Sequence, residues 1–237
     1  MGFIGIALSY VVTTALFGLV VFFMLMVKLP PRAKPEKHKH PLRDLVEGMQ
    51  YAWRNSFILI LVMLSALMVL LGMSYVSILP VFARDIFDVG PTGLGILTSA
   101  AAIGSLAGSL VMVFTGNINR KGLLLLAVLI STGVGLAIFA YSTNFYFSCM
   151  VLLFVGLASA VVGVLNNTMI QLAVDPGMRG RILSLFVMTF GLMGIGSMPI
   201  GALAEAAGAP LAVAAAGITL ALIVGIIAII SPKIRQQ

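Results

Sequence analysis

The chain has 237 residues, 61% of them hydrophobic and only 9% charged, where a soluble domain carries about 25% charged residues. That balance excludes an ordinary soluble fold, and because the apolar residues form unbroken stretches of about 20 instead of alternating, it also excludes a transmembrane β-barrel. The formal net charge of +7 sits in short segments beside apolar ones, a pattern of membrane topology and not of a nucleic-acid surface.

Seven apolar runs follow one another at 3–27, 57–82, 93–115, 123–141, 145–174, 183–203 and 211–230, each long enough to cross the hydrocarbon core. The expected fold is therefore all-α and integral to the membrane, with seven transmembrane helices. No basic residue precedes the first run and it exceeds a signal-peptide core, so it reads as a retained span.

The interval 28–55 is the only long polar one. It holds Lys28, Arg32, Lys34, Lys37, Lys39, Arg43 and Arg54, half of the chain's 14 Lys and Arg. Its Pro- and Lys-rich first half reads as a linker. From Leu42 onward, Leu45, Val46, Met49 and Trp53 recur at helical spacing opposite Arg43, Asp44, Glu47, Gln50 and Arg54, which predicts an amphipathic helix on the membrane surface with Trp53 at headgroup depth. Basic residues in alternate connections (the interval above, Arg120 and Lys121, Arg179 and Arg181, Lys233 and Arg235) face Arg84 alone on the other side. The N-terminus is thus expected outside and the C-terminus in the cytoplasm. The expected organisation is a first helix at 1–27, a cytoplasmic linker at 28–55, a six-helix domain at 56–231 and a cytoplasmic tail at 232–237.

In the third run Ala100, Gly104 and Gly108 recur every fourth residue, the small-residue spacing that lets helices pack closely in lipid. The sixth run carries Gly191, Gly194, Gly196, Pro199 and Gly201. Two readings stand for it: plain packing contacts, or a bend at Pro199 that gates a pathway. No ionisable side chain lies in the middle of any run, so the usual proton-relay carboxylate is missing there. Midplane polarity comes from hydroxyls and amides, among them Ser65, Ser74, Tyr75, Ser159, Asn166, Asn167 and Gln171. Interhelical hydrogen bonds and ligand contact are the two roles open to them. As cavity-lining candidates we take Ser74, Tyr75, Asn167 and Gln171.

Two short cytoplasmic loops are patterned. One brackets Arg120 and Lys121 between Gly116 and Gly122, which suits a tight turn. The other, 175–181, puts Asp175 at an expected helix N-cap and Pro176 at the first helical position. Arg179 and Arg181 can then reach helix C-termini or acidic groups. Topology anchor and gating element are both open readings for these loops. Cys149 is the only cysteine and lies in an apolar run, so neither an internal disulfide nor a metal cluster is expected, and no cofactor is implied.

The residues Asp44 to Tyr51, Leu79 to Asp85 and Arg179 to Ser184, in that order, resemble the C-terminal half of a major facilitator superfamily transporter, in its enterobactin-exporter and macrolide-efflux-like branch. The resemblance implies two six-helix halves, with run one matching the sixth helix and runs two to seven the seventh to twelfth. It also implies that 28–55 joins the halves, that an N-terminal half is a partner, and that a small molecule is carried. The loop from Gly116 to Gly122 is similar to a family loop, one residue shorter and with Asn119 where Asp is expected. The function so implied is export of amphipathic compounds of drug, macrolide or siderophore type across the plasma (inner) membrane, driven by an ion gradient. The alternative is a heptahelical protein without transport activity, a receptor or accessory subunit. Against a retinal protein, the last run lacks a lysine; against an intramembrane enzyme, no catalytic set is present.

Overall fold

A computed structural model describes residues 2–26, 41–115, 120–231 and 234, with side chains placed except at 2–7, 9 and 41–44. The linker stretch 28–40, the loop candidate Gly116 with Asn119, and the tail residues Lys233 and Arg235 lie outside the described residues. The chain forms two compact units, Met1–Pro41 and Leu42–Gln237.

The first unit holds α1, Gly2–Met26, whose described apolar stretch is Tyr10–Met26. The second begins with α2, Pro41–Arg54, and continues through six helices long and apolar enough to cross a membrane. The Ser56–Ile86 span is built from α3 (Ser56–Leu67), a π-helical turn at Met68–Gly72, α4 (Tyr75–Val81) and a second π turn at Phe82–Ile86. Then come α5 (Gly90–Thr115), α6 (Lys121–Ala140) and α7 (Phe145–Ala173). The Arg179–Ala207 span comprises α8 (Arg179–Met188), a 3-10 turn at Thr189–Gly191 and α9 (Leu192–Ala207); α10 (Ala209–Ile230) ends the bundle. All-α membrane architecture therefore holds, and among the described residues six of the seven expected spans meet the length criterion in full.

Caps and breakers set the ends. The Asn55 side chain accepts from the Phe57 N–H at 3.2 Å and that of Asn144 from Phe147 at 3.1 Å, satisfying donors that the first helical turn leaves open. Gly208 adopts φ +92° between α9 and α10, a conformation costly for any residue with a Cβ.

Glycines set which helices touch. A Cβ on Gly104 would lie 1.9 Å from the Leu153 carbonyl oxygen, one on Gly108 2.3 Å from that of Leu157, and one on Gly156 2.0 Å from that of Ala101. The α5 and α7 backbones are thus in direct contact along the expected small-residue ridge. Gly133 and Gly217 do the same for α6 and α10, each facing the other's carbonyl. The core has two parts: one near α2 that includes Leu61, Leu129, Leu165 and Ile182, and one toward the opposite end around Tyr75, Phe82 and Phe139.

Two expectations are corrected, and α2 shows a packed face besides the expected apolar surface. Leu45, Tyr51 and Ala52 join the core near α8, because Gly48 lets α2 approach to within contact of Arg181 and Leu185. Val46, Met49 and Trp53 instead form a second, exposed apolar face. Asp175 is not an N-cap, since α8 starts at Arg179 after Met178 and the Asp175 carboxylate is engaged by Tyr51. In the Arg179–Ala207 span, the change of helix type falls at Thr189–Gly191, whereas Pro199 lies inside the continuous α9. Of the glycines in this span, Gly196 meets the Leu70 carbonyl, while Gly191, Gly194 and Gly201 face open space among the described residues. Close packing therefore accounts for Gly196 alone.

Candidate functional site

Both interrupted spans lose regular α-helical bonding at the same place. Between them lies a cavity of about 220 Å³ that Met68, Val69 and Met73 line from one span and Phe186, Thr189 and Phe190 from the other. A π turn widens the hydrogen-bond ladder and a 3-10 turn tightens it, and such local departures concentrate at functional sites and hinges. Ser105 of α5 and Ser159, Val162, Gly163 and Asn166 of α7 complete the wall with Ser65. No ionisable side chain among the described residues lines it.

The wall is mostly apolar, and its few polar side chains are held by hydrogen bonds within the protein. Ser65 Oγ donates to the Leu61 carbonyl at 3.0 Å, Ser159 to Val155 at 2.7 Å and Thr189 to Phe186 at 2.6 Å. Ser105 lies 3.0 Å from the Ala101 carbonyl on its own helix and 3.2 Å from that of Gly156 on α7. Asn166, 1% exposed, reaches across to α3: Nδ2 donates to Leu61 O at 3.0 Å and to Ser65 Oγ at 2.6 Å.

The four cavity candidates taken from the sequence lie elsewhere. Ser74 is buried and donates to the Leu70 carbonyl, taking up an acceptor of the π turn. Tyr75 packs its ring edge-on to Phe139, centroids 6.4 Å apart, in the core at the other end. Gln171 donates to Asn167 Oδ1 along one face of α7, and Gln171 is exposed. One residue separates Asn167 from Asn166, a turn of about 100° around the helix. Asn166 follows Ser159 by two full turns and Val162 by one, so its spacing to those two residues was the available signal.

Of the loop candidates, Asp175 and Arg181 meet α2. Arg179 Nε donates to the Val174 carbonyl at the C-terminus of α7 at 3.2 Å, where a cation complements the exposed carbonyls. Arg181 Nη1 lies 2.9 Å from a Glu47 carboxylate oxygen. Tyr51 Oη donates to Asp175 Oδ2 at 2.8 Å; that bond, with some burial, raises the Tyr51 phenol above its ordinary value of 10.0. Arg120 is exposed and Lys121 opens α6, and a Cβ on Gly122 would lie 1.9 Å from the Ile234 carbonyl. Glycine is needed there for backbone contact, not only for a turn.

A family model described as "Transmembrane secretion effector" matches residues 1–237. Macrolide efflux protein A of Enterococcus faecalis is 24% identical over 200 residues, covering 82% of this chain and 61% of its own length. Multidrug efflux pump Tap of Mycolicibacterium fortuitum is 24% identical over 231 residues, 95% of this chain and 56% of its own. Enterobactin exporter EntS of Escherichia coli O139:H28 is 26% identical over 179 residues, 75% and 42% respectively. The chain thus spans about half the length of these relatives.

Proposed function

Because the chain belongs to the transmembrane secretion effector family, within the major facilitator superfamily, we propose that it forms the C-terminal half of an exporter for amphipathic small molecules. The observation that carries this reading is the meeting of the Met68–Gly72 and Thr189–Gly191 turns at one cavity. Helices whose ladders are already broken there can rock or re-pair at low cost, as alternating access requires. Uncharged walls of methionine, phenylalanine and hydroxyl groups suit substrates of drug, macrolide or siderophore type. A coupling carboxylate for an ion gradient would then sit outside this cavity.

Transport needs two halves around a shared path, and we assign the second to a complementary N-terminal bundle, with the 28–55 interval as the connection. Two features support this. The relatives are about twice as long, and the Gly90–Thr115 and Arg179–Ala207 spans are only 17% and 22% buried, against 50% for Lys121–Ala140. The orientation follows the basic-residue bias, with the α2 end in the cytoplasm of a cell whose plasma membrane holds the protein. The decisive experiment is efflux of an amphipathic fluorescent dye from proteoliposomes. Co-reconstitution with a compatible N-terminal half should give gradient-dependent export and the chain alone should give none; flux from the chain alone, or none from the pair, would refute the reading.

A further inference from the structure

Two of the residues lining the cavity form an aromatic pair. Phe186 of α8 and Phe190 of the 3-10 turn stand edge to face, with centroids 5.9 Å apart and planes at 89°. The Thr189 hydroxyl, between them in the chain, donates to the Phe186 carbonyl at 2.6 Å and ties the turn to the last part of α8. Such a pair sets the electron-rich face of one ring beside the electron-poor edge of the other, and a third ring can complement both. Phe190 is 50% exposed and Phe186 half-buried, so the rest of the bundle does not wall them off. Met68 and Met73 line the same cavity and bring thioether sulfurs, which are attracted to aromatic rings. From α7 come Ala160 and Gly163; a Cβ built on Gly163 finds nothing within 4 Å among the described residues, which leaves room beside the helix. The four hydroxyls on the wall, Ser65, Ser105, Ser159 and Thr189, already donate to helix carbonyls. A polar substrate end would give up its water there for little in return.

Resting on the cavity as the substrate path, we propose that it is an aryl-binding subsite in which Phe186 and Phe190 determine specificity. The substrate is an amphipath that inserts an aromatic end beside this pair. Volume sets how much of it enters. An apolar cavity of about 150 Å³ holds one benzene, and about 220 Å³ is roughly half as large again, the step from a single ring to a fused pair. It is less than the roughly 300–1,000 Å³ of sites that enclose a whole drug-sized ligand, so the polar head stays outside. The cargo is thereby narrowed from amphipaths in general to those with an aryl end. A saturated body of similar size fits the space but gains neither the ring pair nor the sulfurs.

The test uses the full chain in lipid nanodiscs, with empty discs as blank for uptake into lipid, and equilibrium dialysis of two probes, 2-naphthylethanol and its fully saturated decahydro analogue. The two share a carbon skeleton and a head group and differ in aromaticity. The naphthyl probe should bind about tenfold more tightly, the combined effect of the ring pair and the sulfurs. Phe190→Leu, at a half-exposed position, should cut that preference to about threefold or less, whereas Phe190→Tyr, which keeps a ring, should retain it. Gly163→Leu reports on the cavity itself: its side chain enters open space, adds bulk without a ring and should weaken both probes by a similar factor. Equal affinities of the parent chain for the two probes would overturn the proposal, and that comparison needs no variant to fold. A preference that survives Phe190→Leu in full, or that Phe190→Tyr loses as completely as the leucine variant, would overturn it as well. If Gly163→Leu weakens both probes in any of those cases, the cavity reading stands and only the aryl assignment fails. If Gly163→Leu binds both probes as the parent does, or the parent binds neither, the cavity reading falls and the aryl assignment with it.

Discussion

Arg181, in the first turn of α8, places its Nη1 2.9 Å from a carboxylate oxygen of Glu47 on α2, while Gly48, the next residue, lets the two helices touch. Both charged side chains remain about a third exposed, at 28% and 32%, so solvent screens the pair and its net contribution is below about 1 kcal/mol. Glu47→Gln should therefore lower the melting temperature in detergent by no more than about 2–4 °C. Gly48→Leu, which pushes a branched side chain into the Arg181 and Leu185 contacts, should lower it further. The reverse order would mean that charge, and not close approach, holds α2 in place.

Tyr51 offers a pH handle on the same contact. Its phenol is raised above 10.0, first by the hydrogen bond to Asp175 and then by burial, so the folded state holds the proton more tightly than the unfolded one. The stabilisation is whole below pH 10.0 and is lost as pH rises through the higher folded value, where a phenolate would face the Asp175 carboxylate. Trp53 is the chain's only tryptophan and lies on α2, which makes its fluorescence a local reporter. Its emission should change as α2 loosens in strongly alkaline buffer, and Tyr51→Phe should remove that transition; an unchanged transition in the variant would assign it to another group.

The helix contacts were legible because small residues at spacing four have few roles in lipid other than close approach. The cavity was much less so. Met68, Val69, Leu70 and Leu71 are ordinary helix-compatible residues, and whether they bond as an α or a π turn depends on what α9 and α10 press against them, such as the Gly196 contact with the Leu70 carbonyl. Asn166 and Asn167 are chemically identical neighbours; the spacing of Asn166 to Ser159 and Val162 is a faint signal, and the position of α3 decides which of them is buried. The dual character of α2 escaped for a related reason: Gly48 and Ala52 look neutral in a hydropathy pattern, yet their small size selects the packed face.

Glycine substitutions separate contact from open space. Gly104→Leu must displace the Leu153 backbone, since even a Cβ would come within 1.9 Å of its carbonyl oxygen; rigid overpacking of this kind costs about 1–3 kcal/mol or more. Gly194, with nothing within 4 Å of a built Cβ among the described residues, should accept alanine and gain up to about 1 kcal/mol from the helix preference. Thermal unfolding of the two variants in detergent should move in opposite directions. A Gly104→Leu protein as stable as the parent would require α5 and α7 to lie further apart than described.

Topology is the last expectation, and it decides which end of the cavity the cytoplasm reaches. The spans alternate direction, so Asp85 after the Ser56–Ile86 span and Glu205 near the end of Arg179–Ala207 lie at one end of the bundle, while Arg120, before α6, lies at the other. All three are exposed and suit single-cysteine labelling. Cys149 has first to be replaced by serine, since it is half-buried and would report on its own. Basic residues concentrate at the Arg120 end, and positive charge is retained on the cytoplasmic side. A membrane-impermeant maleimide should therefore label cysteines at 85 and 205 in intact cells and one at 120 only after permeabilisation. Labelling at 120 in intact cells, with 85 and 205 protected, would invert the protein in the membrane and turn the proposed export path into an uptake path.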